Sequence, residues 1–373
     1  MIAVNGRFLG LHVTGIERYA REALRLLPPA EVRVIGPPAR SSGSAGYLWE
    51  QSALPLLLNR GELLWCPTHS GPLSVRKQVL TLHDAAVFDH PEWFSQRVRV
   101  TYRSLAARVA RRAAQVTTSS EFSRGRLADW LGLDPSRIAV IPGGVSGDLR
   151  SSAAERIQVE RAAPGSPRDD PARPRLSELH ASLAGPYVLA VSTIDPRKNL
   201  ERLLSAWRLV SKRHKEISLA VVGATSSLFS RVQLEQAPEN VAFLGYVNDD
   251  DLRSLYTHCE LFVYPSVYEG FGLPPLEAMA AGSPVVASDI PAHVETLAGA
   301  AQLVDPYDVS SIAEGILSVL DDAELQSKLA TAGVKRSACY TWQRTADSLM
   351  ALFRQILDEI TTSRAHGARS EQD

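Results

Sequence analysis

Tyr264-Pro-Ser-Val-Tyr-Glu-Gly-Phe-Gly-Leu-Pro-Pro-Leu-Glu277 runs straight on from the apolar stretch that begins at Leu261. Leu261–Tyr264 reads as a buried strand, Gly270 and Gly272 as a turn, and Pro274-Pro275 as the opening of a helix, where a missing N–H costs nothing. The string is therefore a strand, a turn and a helix, the repeating unit of a parallel α/β sheet. Two carboxylates, Glu269 and Glu277, flank the turn. As an isolated pair they would read as solvated charges. Behind an apolar strand, with two glycines between them, they read as a ligand site.

The chemistry follows from the turn. Backbone N–H groups of Phe271, Gly272 and Leu273 would sit at a helix N-terminus, a ready seat for a phosphate. The helix dipole adds about 0.3–1 kcal/mol to holding an anion there. A carboxylate on the first helical turn, the place expected for Glu277, can accept hydrogen bonds from vicinal hydroxyls such as those of a ribose.

Moving outward, the same alternation covers most of the 373 residues. Strands are expected at Ile2–Asn5, Glu31–Ile35, Leu63–Cys66, Gln78–Leu82, Gln115–Thr118 and Ile138–Ile141. Helices are expected at Ile16–Leu27, Trp49–Leu58, Ser95–Ala113 and Glu121–Leu131. Residues 147–184 are punctuated by Pro164-Gly165-Ser166-Pro167 and Asp169-Asp170-Pro171, which marks a linker or insertion. A short helix near Leu176–Ala184 would close it. The alternation then resumes with strands at Tyr187–Val191, Ile217–Val222, Val241–Leu244, Leu261–Tyr264, Pro284–Ala287 and Gln302–Val304. Helices follow at Val309–Leu320, Ala323–Ala332 and Thr341–Ile360, and then a polar, frayed tail at 361–373. The expected division is a domain of residues 1–146, the 147–184 segment, and a second domain of 185–340, with the 341–360 helix packing back near the first. Two doubly wound sheets predict a cleft at the carboxyl ends of their strands.

Composition narrows the class. Hydrophobic residues are 45% of the chain, enough for two cores, and the net charge of -1 points to no nucleic-acid partner. Residues 1–150 carry 19 Lys and Arg against 12 Asp and Glu, and the remainder 21 against 29. The first half should therefore draw anions more strongly. Cys66, Cys259 and Cys339 show no metal-ligand or CxxC spacing, which fits a reducing cytoplasm. The N-terminus has no leader pattern, and no apolar stretch is long enough to span a membrane.

A second site signal is Ser192-Thr-Ile-Asp-Pro-Arg-Lys-Asn199, after the strand Tyr187–Val191. Arg197 and Lys198 are adjacent cations at a strand end, where charge-assisted bonds to phosphate are strong. They could stabilise a leaving nucleoside diphosphate without a metal. Gly15, within Val13–Tyr19, would let backbone approach a ligand. His83 ends an apolar strand, where it can bond a sugar hydroxyl, with Asp84 orienting it or meeting the acceptor. Asp249-Asp250-Asp251 looks like a DxD metal motif, but helix capping explains it.

These residues together resemble glycosyltransferase family 4. The resemblance covers nearly the whole chain: the Gly15 loop, Leu82-His83-Asp84, Ser119-Ser120-Glu121-Phe122-Ser123, Ile141-Pro142-Gly143-Gly144-Val145, Arg197-Lys198-Asn199, Phe243–Val247 and the Glu269/Glu277 string. It implies the GT-B fold, two Rossmann-like domains with parallel sheets facing a central cleft. It also implies a retaining, metal-independent transfer from a nucleotide-diphosphate sugar to a glycan or lipid-linked acceptor, with no cofactor. Glu269, His83, Arg197 and Lys198 would be catalytic. Gly15, Gly245, Tyr246, Val247, Ser266, Gly270, Phe271, Gly272, Leu273 and Glu277 would bind the donor, and Asp84 would lie on the acceptor side. Likeness to bacterial O-antigen and exopolysaccharide enzymes puts GDP-mannose first among donors, ahead of UDP-sugars and dTDP-rhamnose. One departure stands at Gly143, where the family pattern commonly has Asn.

Two other classes compete. A nicotinamide-dependent oxidoreductase would need G-x-G-x-x-G after the first strand. The chain has Asn5-Gly-Arg-Phe-Leu-Gly10 there. A non-catalytic sugar-nucleotide binder is opposed by the intact Arg197, Lys198, Glu269 and Glu277. Finally, the helix expected at 95–113 carries Arg97, Arg103, Arg108, Arg111 and Arg112 beside an apolar face. It could rest on an anionic membrane surface on the cytoplasmic side.

Overall fold

The computed structural model describes residues 1–10, 14–38, 43–149, 183, 185–191, 195–223, 238 and 240–370, with side chains to 362. The expected linker helix near 176–184 lies outside the described residues, as do 150–182 of the expected linker and Ser192–Ile194 of the second motif. The chain forms two units, Met1–Gly144 with Tyr340–Asp373, and Val145–Cys339.

The first unit holds a parallel six-stranded sheet in the order β2-β1-β3-β4-β5-β6. The strands are β1 (Ile2–Asn5), β2 (Val32–Ile35), β3 (Leu63–Cys66), β4 (Gln78–Thr81), β5 (Gln115–Thr118) and β6 (Ile138–Val140). Strands β1, β3 and β4 are buried along their whole length, as strands covered on both faces must be. Helices α1 (Gly15–Leu26) and α2 (Gly43–Leu56) follow β1 and β2. Helix α1 opens with a capping box, the Glu17 carboxylate accepting from the Thr14 N–H at 3.1 Å. After β4 come α3 (Ala86–Asp89), α4 (Gln96–Thr101) and α5 (Ala107–Arg112). The single helix expected over 95–113 is thus divided: Tyr102–Ala106 forms a π turn between α4 and α5. Helix α6 (Glu121–Leu131) explains the Ser119–Ser123 motif, because Ser120 accepts from the Ser123 N–H and Gly132 ends the helix in the left-handed conformation.

The second unit repeats the plan, in the order β12-β11-β10-β7-β8-β9. Its strands are β7 (Tyr187–Val191), β8 (Ser218–Val222), β9 (Val241–Gly245), β10 (Leu261–Tyr264), β11 (Val285–Ser288) and β12 (Gln302–Val304). Helices α7 (Leu200–Arg213), α8 (Asp249–His258), α9 (Leu273–Ala280), α10 (Pro291–Leu297), α11 (Val309–Leu320) and α12 (Ala323–Ser337) cover it. The fully buried Trp207 of α7 packs with Leu219, Val263 and Ile316 in the core. Asn248 caps α8 by accepting from the Asp251 N–H at 2.9 Å, so the Asp249–Asp251 run is a helix start.

The last helix, α13 (Trp342–Ser370), belongs to the first unit and continues past Thr361, where a frayed tail is expected. It lies on α1: Tyr19 meets Trp342 edge-on at 6.0 Å, and Thr345 donates to the Pro142 carbonyl at 2.8 Å. A Cβ on Gly144 would stand 2.1 Å from the Trp342 nitrogen and 2.3 Å from the Thr341 carbonyl carbon. Backbone meets backbone there, and only glycine fits. Among the described residues, no helix is long and apolar enough to cross a membrane.

Candidate active site

Each sheet reverses its strand order once, between β1 and β3 in the first and between β7 and β10 in the second. Ligands of such sheets bind outside the carboxyl ends of the strands at that reversal. The loops after β7 and β10 carry both of the strongest sequence signals.

After β7, Asp195 starts a short 3-10 turn, Pro196–Lys198, by accepting from the Arg197 N–H at 2.9 Å. It also holds the Arg197 guanidinium at 3.0 Å. Asn199 adopts φ 60, a conformation Asn tolerates, and its amide donates to the Pro265 and Pro306 carbonyls at 2.9 and 2.6 Å. The Val267 N–H donates to the Arg197 carbonyl at 2.8 Å, joining the two loops. So fixed, Lys198 reaches Glu269 at 2.5 Å, and both side chains are nearly buried, at 15% and 12% exposure. Tyr264 closes a triangle: Lys198 donates to its hydroxyl, which donates to Glu269 at 2.9 Å.

The charges are tuned by this contact. Burial alone would push the Glu269 carboxyl up, but the Lys198 ammonium and the Arg197 guanidinium outweigh it and hold it down to about 2. Burial opposes the charge on Lys198 as well, and Glu269 reverses that and raises its pKa. An ammonium has three N–H donors, and Glu269 and Tyr264 take two, which leaves the third for a ligand.

Beside this pair, Gly272 caps α9 at φ 93, and Pro274 and Pro275 follow as expected. The prolines bring no N–H, so Gly272 and Leu273 supply amides at the mouth of the helix. Phe271 is buried, with its carbonyl accepting from Thr296 at 3.0 Å. Ser266 is 1% exposed, and its hydroxyl has no partner. Arg197, Lys198, Ser266, Glu269 and the Gly270–Leu273 turn are thus carried by two joined loops. Glu277 falls just past the first turn: with α9 starting at Leu273 it is the fifth helical residue, because the prolines are the second and third. It is buried and accepts from the Tyr256 hydroxyl at 3.1 Å. Gly245 ends β9, two strands from β7, and Tyr246 and Val247 follow it. Gly245 has φ 66 at an irregular register, Tyr246 is 77% exposed and Val247 is buried.

His293 of α10 escaped the sequence reading. It is fully buried, and a Cβ on Gly272 would come within 3.2 Å of its Cδ2 and 3.3 Å of its Nε2. Its Nδ1 lies 3.1 Å from the Ser288 carbonyl, while Nε2 has no partner. A buried polar atom left unpaired costs about 1–3 kcal/mol. A lone His in Pro291-Ala-His293 gives no sequence signal; its proximity to Gly272 comes from the pairing of β10 with β11.

In the first unit, Gly15 begins α1, and a Cβ there would meet nothing within 4 Å. Packing therefore does not demand glycine at this position. His83 follows β4. Its Nε2 lies 2.9 Å from the Pro67 carbonyl and must carry the proton, so Nδ1 keeps the lone pair. Burial lowers its pKa. Tyr19 packs edge-on against the ring at 4.8 Å. Asp84 accepts from the Ala86 N–H at 2.9 Å, just ahead of α3, and its charge favours the protonated form of His83. At the reversal of this sheet lies a pair the sequence did not reveal: Arg7 and Glu50, 3.2 Å apart and 8% and 0% exposed. Asn5 and Ser70 both donate to Glu50, at 2.8 and 2.9 Å.

Comparison with known proteins agrees with this layout. Residues 13–149 match the family model described as Glycosyltransferase Family 4, and residues 178–336 match Glycosyl transferases group 1. An O-antigen chain mannosyltransferase B of Escherichia coli is 31% identical over 76% of this chain and 72% of its own. A sucrose-phosphate synthase from Thermosynechococcus elongatus superposes with a TM-score of 0.70 at 20% identity, covering 96% of this chain and 99% of that one. Anabaena HepE, solved with UDP and glucose, gives 0.68 at 19% identity, covering 95% and 100%. The fold is GT-B, two Rossmann-like units with parallel six-stranded sheets. The chain belongs to glycosyltransferase family 4.

Proposed function

We propose that the protein transfers a hexose, with mannose from GDP-mannose the first candidate, to a glycan or lipid-linked saccharide acceptor in the synthesis of a cell-surface polysaccharide. The observation that carries this reading is the Lys198–Glu269 pair held beside the Gly272 amide at the mouth of α9. The donor diphosphate would lie on Lys198, Arg197 and the amides of Gly272 and Leu273, with Gly15 facing the distal phosphate. Glu269, kept ionised, would accept from hydroxyls of the sugar. Ser266 and Gly270–Phe271 would line that side, Glu277 would take the ribose, and Gly245–Val247 would flank the base.

As the bond from the anomeric carbon to the phosphate oxygen breaks, charge gathers on the diphosphate, and the fixed cations stabilise it in place of a metal. The acceptor hydroxyl would attack from the same face, its proton passing to a phosphate oxygen, so that configuration is retained. His83 would sit near the sugar and acceptor, and Asp84 on the acceptor side. GDP-mannose ranks first because the relative with 31% identity is a mannosyltransferase. A thermal-shift panel of GDP-, UDP- and dTDP-sugars tests the reading. At 100 times the dissociation constant a ligand adds about 2.7 kcal/mol of stability, and one nucleotide class alone should raise Tm. No shift with any of them would overturn it.

The basic face supports a second contact, with an anionic membrane. Arg97, Arg103, Arg108, Arg111 and Arg112 are all exposed, and Val100 and Leu48 are exposed beside them at 59% and 69%. Arg97 bonds Ser44, which brings α2 to α4. Arg103 faces the Trp130 ring and Arg111 donates to the Leu131 carbonyl, so Arg97, Arg108 and Arg112 would carry most of the attraction. Retention on phosphatidylserine vesicles should exceed that on neutral vesicles at low salt. Equal retention would remove the membrane from the account.

A further inference from the structure

We infer that His293 is a specificity residue of the donor site, its Nε2 accepting a hydrogen bond from a hydroxyl of the transferred sugar. The inference rests on the donor site proposed above and assigns one more contact within it.

Three observations converge on it. His293 is fully buried, yet Nε2 has no partner, an arrangement that awaits a donor. The edge of the ring that holds Nε2 is turned toward Gly272, at the mouth of α9, where a single added methyl would come within 3.3 Å of that atom. The other face of the surroundings is the sugar side of the site, for the ring lies 5.7 Å from that of Tyr264, which is bonded to both Lys198 and Glu269.

The tautomer then names the chemistry. A carbonyl only accepts, so the contact of Nδ1 with Ser288 places the ring proton on Nδ1. Burial pushes the pKa down to about 4, so the ring is neutral and Nε2 offers a bare lone pair. A lone pair repels the oxygens of an ionised diphosphate, which have no proton to give. It accepts from O–H, and within a sugar nucleotide the O–H groups belong to the hexose and the ribose. Glu277, held by Tyr256, serves the ribose in the proposed site, and Glu269 serves the hexose. His293 stands with Glu269.

Substitution separates the two ring nitrogens. His293→Asn keeps an amide N–H where Nδ1 meets Ser288 and deletes Nε2, whereas His293→Gln places an acceptor oxygen toward the position of Nε2. Calorimetric titration of wild type and both variants with GDP and with GDP-mannose, and with UDP and UDP-glucose in parallel, reads the result. In the expected outcome H293N binds the free nucleotide as wild type does, which also reports an intact fold, but loses about tenfold for the sugar nucleotide, and H293Q recovers part of it. If H293N weakens free and sugar-bearing nucleotide equally, or neither, the assignment of Nε2 is overturned while the donor site stands. If wild type binds none of the four, the donor site falls and this contact with it.

Discussion

The two sheets reverse strand order at matching places, and each sets a nearly buried ion pair there. Between β1 and β3, one oxygen of Glu50 takes Arg7, Asn5 and Ser70, which come from two segments, while its other oxygen and the Arg7 Nε are buried without a hydrogen bond. Between β7 and β10, Lys198 and Glu269 are bonded to each other and to Tyr264, next to glycine turns, an unpartnered Ser266 hydroxyl and the bare Nε2 of His293. The first pair lies in the interior of its unit, 8% and 0% exposed. The second has unpartnered groups around it too, and they stand beside a glycine turn and the mouth of α9. What distinguishes the second pair is therefore the glycine turn and helix mouth beside it, not the presence of open polar atoms.

The sharpest way to break that comparison is Glu50→Ala. It strands the Arg7 guanidinium without its partner, and the expected loss is about 3–5 kcal/mol in denaturant unfolding. Replacing both partners together, Arg7→Met with Glu50→Leu, should recover most of it. A Glu50→Ala protein of normal stability and no activity would make the first pair functional too.

Next in size is Lys198→Ala. Turnover should fall about 10²–10³-fold, with the circular dichroism of the native fold retained. Arg197→Ala should act in the same direction. Unchanged rates in both would mean that the leaving diphosphate is stabilised by other groups.

The smallest effect expected is on acid stability. The folded Glu269 carboxyl titrates near 2, below its ordinary 4.5, so its contribution is present above about pH 4.5 and fades as pH drops toward 2. His293 acts in a higher window. The unfolded chain takes up its proton below about 6.5, the folded ring only near 4, so stability falls as pH moves from 6.5 to 4. His83, also lowered by burial, adds to that window from the first unit. A stability series from pH 7 to 3 should therefore slope less in His293→Asn than in wild type. Identical slopes would show that His293 ionises alike folded and unfolded.

What could be read in the sequence divides along the same line. The strands were legible because they are short apolar runs, most of them largely buried, and Tyr264–Glu277 because turn, prolines and carboxylates occur within fourteen consecutive residues. Arg7 with Glu50 was not, since 43 residues separate them and Glu50 stands on α2, which meets the end of β1 only in the folded unit. His293 was hidden for a similar reason: its partner surface, Gly272, belongs to another βα unit. The depth of Glu277 was misjudged by one residue, enough to take it past the first turn, because the point at which Gly272 hands over to α9 is a matter of backbone angle. The π turn at Tyr102–Ala106 had no marker at all, since no Pro or Gly interrupts that run.

The pinch at Gly144 has a topological consequence. The chain leaves the first unit just after that residue and re-enters it at Tyr340, and the two passages touch, main chain on main chain, at Thr341 and Trp342. The second unit is thus a guest spliced into a host whose cut ends are already adjacent. Every strand from β1 to β6, and the helix that seals them, lies on the host side of the cut. A gene that deletes the guest and rejoins the ends with a few residues would leave the host's own connectivity unchanged.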